Sequence, residues 1–177
     1  DLNAVNSTHR ADWHISLILD WIAQNPPVYG CGWDSYPTSL RIVNWIKWSL
    51  RGHTLKPEAL YSLAIQARWL SKRLEWHLLG NHLFTNAKAL MFAGLFFEGK
   101  EADYWLSTGL KIISKQIRAQ ILEDGGHFEL SPMYHALFLE DMLDLVNIIG
   151  VYETQKNKLQ ISQLERLIKT KVPLMLR

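Results

Sequence analysis

The sequence holds one cysteine, Cys31, among 177 residues, so no internal disulfide framework supports the fold and the redox compartment stays open. It also lacks a charge excess. The formal net charge is +2, basic and acidic residues are interspersed, and no lysine- or arginine-rich run marks a nucleic-acid surface. The longest apolar run, "ALMFAGLFF" at 89–97, is far short of the roughly 20 residues a membrane-spanning helix needs. Alternation with period two is absent, which leaves little for a β-sheet. Gly-rich phosphate loops, a GxSxG elbow and an HExxH pair are missing too, and with them the chemistries they serve.

What remains is helical. Hydrophobic residues make up 48% of the chain and charged residues 20%, the balance of a folded domain rather than a disordered tail. The periodicity predicts helices over about 13–24, 38–50, 56–78, 83–97, 98–122 and 132–149, with a seventh from about 154 onward. "NPPVYGCGWDSYP", "RGHTLKP", "GNH" and "EDGGHFELSP" break the pattern with prolines and glycines. Short breaks between such helices imply consecutive antiparallel pairs, which suit either a plain bundle or a curved α/α toroid. A single domain over 1–177 is expected. The chain begins at Asp1 and stops in a helical pattern, "LERLIKTKVPLMLR", so a piece of a longer protein is expected as well.

Eight tryptophans and six tyrosines are many for this length, and most fall within helical patterns where packing accounts for them. Trp33 differs, sitting among turn formers where it can face a cleft. Two helix breaks concentrate polar chemistry. In "EWHLLGNHLFTN", Asn81 stands where a helix begins and is either an N-cap or part of an anion site. His82 would follow in the first turn, beside free backbone N–H groups and the positive end of the helix dipole. In "GGHFELSPMYHA", Gly125 and Gly126 make a turn, and Ser131 and Pro132 restart a helix as N-cap and first residue. Tyr134 and His135 then fall in its first turn, Tyr134 reading as core aromatic or functional phenol. His127 and Glu129 read as loop support or groove contacts. Their spacing with His135 matches no standard zinc motif, so no metal and no cofactor is expected.

Three blocks carry a resemblance: "SYPTSLRIVNWIKW", "EWHLLGNHLFTNAKALMFAGLFFEG" and "ILEDGGHFELSPMYHALFLEDMLDL". Together, over about 33–147, they resemble the α-helical domain of the heparinase II/III-like polysaccharide lyases. The resemblance implies an all-α, incomplete (α/α) toroid of antiparallel helical hairpins, followed in the family by a C-terminal β-sandwich domain absent from this sequence. It implies an anionic polysaccharide as partner, with no nucleic acid and no membrane, and a periplasmic or secreted bacterial address. It implies cleavage of a uronic-acid-containing polysaccharide by β-elimination, a carbon–oxygen lyase reaction. Removing the C5 proton of a uronate puts charge beside an existing carboxylate, which must first be neutralised. The resemblance gives that task to Asn81 with His82, and gives proton transfer to Tyr134, aided by His135. A further family histidine lies around the β-sandwich and has no counterpart here, so this segment alone need not be active. Trp33 and Tyr36 could stack on sugar faces, and Arg41 could pair with a carboxylate or sulfate, or bridge to Asp34. Two alternatives stand beside this reading: a toroidal glycoside hydrolase using a pair among Glu75, Asp124 and Glu129, and a non-catalytic carbohydrate-binding or assembly module.

Overall fold

Where consecutive prolines stop the first helical pattern, the chain turns, and similar breaks separate seven helices among the described residues. The computed structural model describes residues 1–152 and 157–177. Its helices are α1 (Ala11–Gln24), α2 (Ser35–Leu50), α3 (Pro57–Leu70), α4 (Gly80–Phe96), α5 (Lys100–Gln120), α6 (Pro132–Val151) and α7 (Lys158–Met175). Single 3-10 turns precede α1 and α2, and no strand occurs among the described residues, only a lone bridge between Ile121 and His127. Pro57 occupies the first turn of α3, where a missing N–H costs nothing. Ser131 caps α6, its hydroxyl oxygen accepting the Tyr134 N–H, with Pro132 next in line. Both were expected from the sequence. The expected start of the seventh helix at Thr154 lies outside the described residues.

The chain is organised around α4. Every residue from Leu83 to Leu95 is buried, which a helix achieves only when neighbours cover it on all sides. Those neighbours are α2, α3, α5 and α6. α5 comes closest, because glycines remove side chains from both sides of the contact. A Cβ on Gly94 would stand 2.5 Å from the Leu106 backbone nitrogen, and one on Gly109 would stand 2.7 Å from the Ala87 carbonyl oxygen. α6 closes the other side, with the Phe84 and Phe138 rings 4.3 Å apart. α2 with α3 and α6 with α7 also pack as successive pairs, while α1 lies against α3. No helix among the described residues is long and apolar enough to cross a membrane.

Two expectations about the middle of the chain need correction. The third helix stops at Leu70 rather than running to about 78. Tertiary bonds divert the rest: the Asn86 side chain accepts the Glu75 backbone N–H and the Ser35 hydroxyl donates to the Arg73 carbonyl, while the Arg73 N–H bonds back to Leu70 in a turn. "GNH" is also no interruption but the first turn of α4. The N-cap is Leu79, at φ 54° and ψ −148°, so Asn81 is inside the helix and is not its cap.

Candidate active site

The first turns of α4 and α6 carry polar residues singled out above, and a chain of hydrogen bonds ties the start of α4 to the loop before α6. Gln120, at the end of α5, donates from Nε2 to the Gly80 carbonyl at 3.2 Å. Its Oε1 accepts from His127 Nε2 at 3.1 Å, and His127 Nδ1 accepts the Glu129 N–H. Both ring nitrogens are thereby spoken for, and His127 is only 2% exposed. Burial pushes its pKa below the usual histidine value, and His135 works the same way against Glu129. The His127 ring packs on Phe138 and lies 6.4 Å from the Tyr134 ring. His127 is thus a bolt between the 121–131 loop and α4, not a groove contact, which corrects one expectation. Glu129 is exposed, with its carboxylate 3.5 Å from where a Gly80 Cβ would stand. Gly125 seats the loop on α7: at φ +94° a side chain there would collide with the Leu174 backbone.

Tyr36 links the two turns to open space. It lines both a groove of about 880 Å³, shared with Trp69, Lys72, Arg73, His77 and His82, and a cavity of about 120 Å³, shared with Asn81, Thr85, Lys88, Leu137 and Asp141. Its ring lies 4.7 Å from that of His82. Burial, then Asp141, pushes its phenol pKa up, and Tyr134 is near enough to add to the rise. Tyr36 therefore lies between His82 in the groove and Asn81 in the cavity. Asn81 Oδ1 is buried there with no hydrogen-bond partner among the described residues, the state of a polar group that a ligand could complete. His82 is 44% exposed at its side chain, with Nδ1 held by Glu75 Oε1 at 3.1 Å.

Three expected site residues point elsewhere. Trp33 is 3% exposed. Its ring packs on Trp21 and its Nε1 donates to the Asn25 carbonyl, so neither face is free to stack on a sugar. Arg41 lies over the Trp21 ring at 3.7 Å and donates to Gln66 and Thr38. Burial draws its pKa down to about 9, and it bonds neither Asp34 nor the groove. His135 donates from Nε2 to the Met175 carbonyl at 2.9 Å, which ties it to the end of α7.

The sequence reading missed a buried ionic cluster under the cavity. Lys88, 5% exposed, donates to Asp141 and Asp144 at 2.6 Å each, and Lys47 reaches Asp144 at 2.7 Å. Burial opposes the Lys88 charge, yet the two aspartates hold its pKa above the usual lysine value. Burial likewise pushes Asp141 up, whereas Lys88 and Lys47 overcome burial at Asp144 and hold it down. The available signal was a lysine directly before the longest apolar run of the chain. Lys72 and Arg73 were missed because the diverted segment read as helix. Among the described residues, no group of three or more His, Cys, Asp or Glu is placed to hold a metal ion.

Comparison with known proteins places this architecture. The family model described as "Heparinase II/III N-terminus" matches residues 4–176. A heparin-sulfate lyase of Bacteroides thetaiotaomicron is 30% identical over 145 residues, 76% of this chain and 21% of that protein. One from Bacteroides stercoris is 40% identical over 74 residues, 41% of this chain and 11% of that protein. A crystal structure of heparinase III superimposes with a TM-score of 0.67 at 25% identity, covering 96% of this chain and 26% of that one. A mutant heparan sulfate lyase from Pedobacter heparinus superimposes with a TM-score of 0.61 at 24% identity, covering 97% and 28%. The chain thus matches only about a fifth or less of the two Bacteroides lyases' lengths. Its all-helical fold is an incomplete (α/α) toroid, and with nearly every residue matched, the chain belongs to the heparinase II/III N-terminus family.

Proposed function

We propose that the protein is a polysaccharide lyase that cleaves a uronic-acid-containing polymer by β-elimination, and that this chain supplies part of its active site. The observation that supports the reading is Tyr36 lying beside His82 in the open groove and sharing the adjoining cavity with Asn81, in a chain of this family. The uronate carboxylate docks at the first turn of α4, against the Asn81 amide and His82. There unsatisfied backbone N–H groups and the helix dipole add to the attraction. With that charge neutralised, the C5 proton leaves to a base and its electron pair forms the C4–C5 double bond. The C4–O bond breaks as Tyr134 protonates the departing glycosidic oxygen. His135 is committed to the Met175 carbonyl and takes no part.

The polymer is a sulfated uronan in the first instance, following the names of the relatives, and the setting is periplasmic or secreted. The test uses full-length protein on heparan sulfate, alginate and other uronans. Ultraviolet absorbance from a 4,5-unsaturated uronide is expected. New reducing ends without that absorbance would instead make it a hydrolase, and binding without product a carbohydrate-binding module.

A further inference from the structure

Glu75 lies just before α4, in the segment the sequence pattern assigns to the preceding helix, and it ends a buried chain of hydrogen bonds. The Ser39 hydroxyl donates to the Ser35 carbonyl, so its oxygen is left to accept from Asn86 Nδ2 at 3.1 Å. Asn86 is fully buried and its Oδ1 accepts the Glu75 backbone N–H at 2.9 Å. That fixes which way the amide faces. Its Nδ2 must point at the Glu75 carboxylate, and donates to Oε2 at 2.9 Å. One carboxylate oxygen is thereby taken, and the other, Oε1, faces His82 Nδ1 at 3.1 Å. A carboxylate oxygen only accepts, so Nδ1 carries the proton. With the Tyr36 ring 4.7 Å from that of His82, the imidazole is held by a bond on one side and an aromatic face on another.

We infer that Glu75 is a positioning residue: through Ser39 and Asn86 it fixes the tautomer and orientation of His82, leaving Nε2 for the substrate carboxylate. Nε2 can bond that carboxylate only as a donor, so the ring that meets substrate is flanked by two negative groups, one of them built in. This rests on the lyase reading for its function but not for its geometry.

Substituting E75Q makes a sharp test, because the fixed Asn86 amide dictates how a glutamine must sit. Its oxygen has to accept from Asn86 Nδ2, which turns its NH2 toward His82 Nδ1, and the ring proton must move to Nε2. In protein labelled with 15N-histidine, with His82 assigned from its loss in H82Q, the neutral ring is expected to carry its proton on Nδ1. In E75Q it is expected on Nε2, and in E75D on Nδ1 again. Unsaturated-product formation is expected to fall roughly 10–100-fold in kcat/KM for E75Q, as for other partners that orient a functional histidine, with E75D recovering most of it. A proton on Nε2 in the unsubstituted protein overturns the inference without any variant having to fold. So does an E75Q protein, folded by circular dichroism, that keeps wild-type tautomer or wild-type kcat/KM. Absence of unsaturated product from the unsubstituted protein would sink the lyase reading alone, since the nitrogen shifts still report on Glu75 and His82.

Discussion

The α4–α5 contact and the corner where α4 and α6 begin lie within one helical assembly and are built on opposite terms. Between α4 and α5 the backbones nearly touch: Gly94 and Gly109 leave no room for a methyl group, and apolar side chains fill what remains. At the corner the backbone is strained and the side chains are polar. Leu79 and Leu130, which lead into α4 and toward α6, both hold φ at 54°, a region that costs a residue with a side chain on the order of 1–3 kcal/mol. Polar groups there are held by one another through Gln120, His127, Asn86 and Glu75. The lesson is a division of labour. Close packing supplies the stability that lets a strained, hydrogen-bonded corner keep one geometry.

Substitutions can break that comparison at either end. The largest expected effect is Tyr134→Phe, which should lower unsaturated-product formation by about 100- to 10,000-fold, the usual contribution of a positioned proton donor. Its thermal midpoint should stay near wild type by calorimetry, and a parallel loss of stability would show the two regions to be inseparable. Lys88→Met comes next, because it strands Asp141 beneath the site and leaves Asp144 with Lys47 alone. Losing one partner of such a buried cluster should cost about 3–5 kcal/mol in urea unfolding. Gly94→Ala tests the close contact alone, with about 1–3 kcal/mol lost as Leu106 is forced away, and with activity at the corner retained by the folded fraction. Smallest is Arg73→Ala in the open groove. Polymer binding should weaken by less than about fivefold, in keeping with an exposed charge, and the difference should vanish at high salt.

Fold class and helix boundaries were largely legible in the sequence because apolar spacing and Pro, Gly and Ser punctuation act locally. The start of α6 at Pro132, capped by Ser131, is the clearest case. The run from Ser71 to Leu79 was not, since its residues favour helix and the distant Asn86 and Ser35 side chains divert them. Of the expected site residues, Tyr36 lies beside His82 in the groove and shares the cavity with Asn81. Trp33 and Arg41 mislead for one reason: an aromatic or guanidinium suited to a sugar is equally suited to Trp21 and Gln66. Long-range polar pairing, such as Lys88 with Asp141 and Asp144, leaves only a lysine beside an apolar run to read, and nothing local that names its partners.

The groove wall has one further consequence. The Arg73 guanidinium rests 4.0 Å over the Trp69 ring, and both face the open side. A polyanion that recruits Arg73 lifts a cation from an indole face and changes that fluorophore's surroundings. The groove therefore contains its own optical label, and titrating a polymer while following tryptophan emission should register occupancy even where no bond is cut.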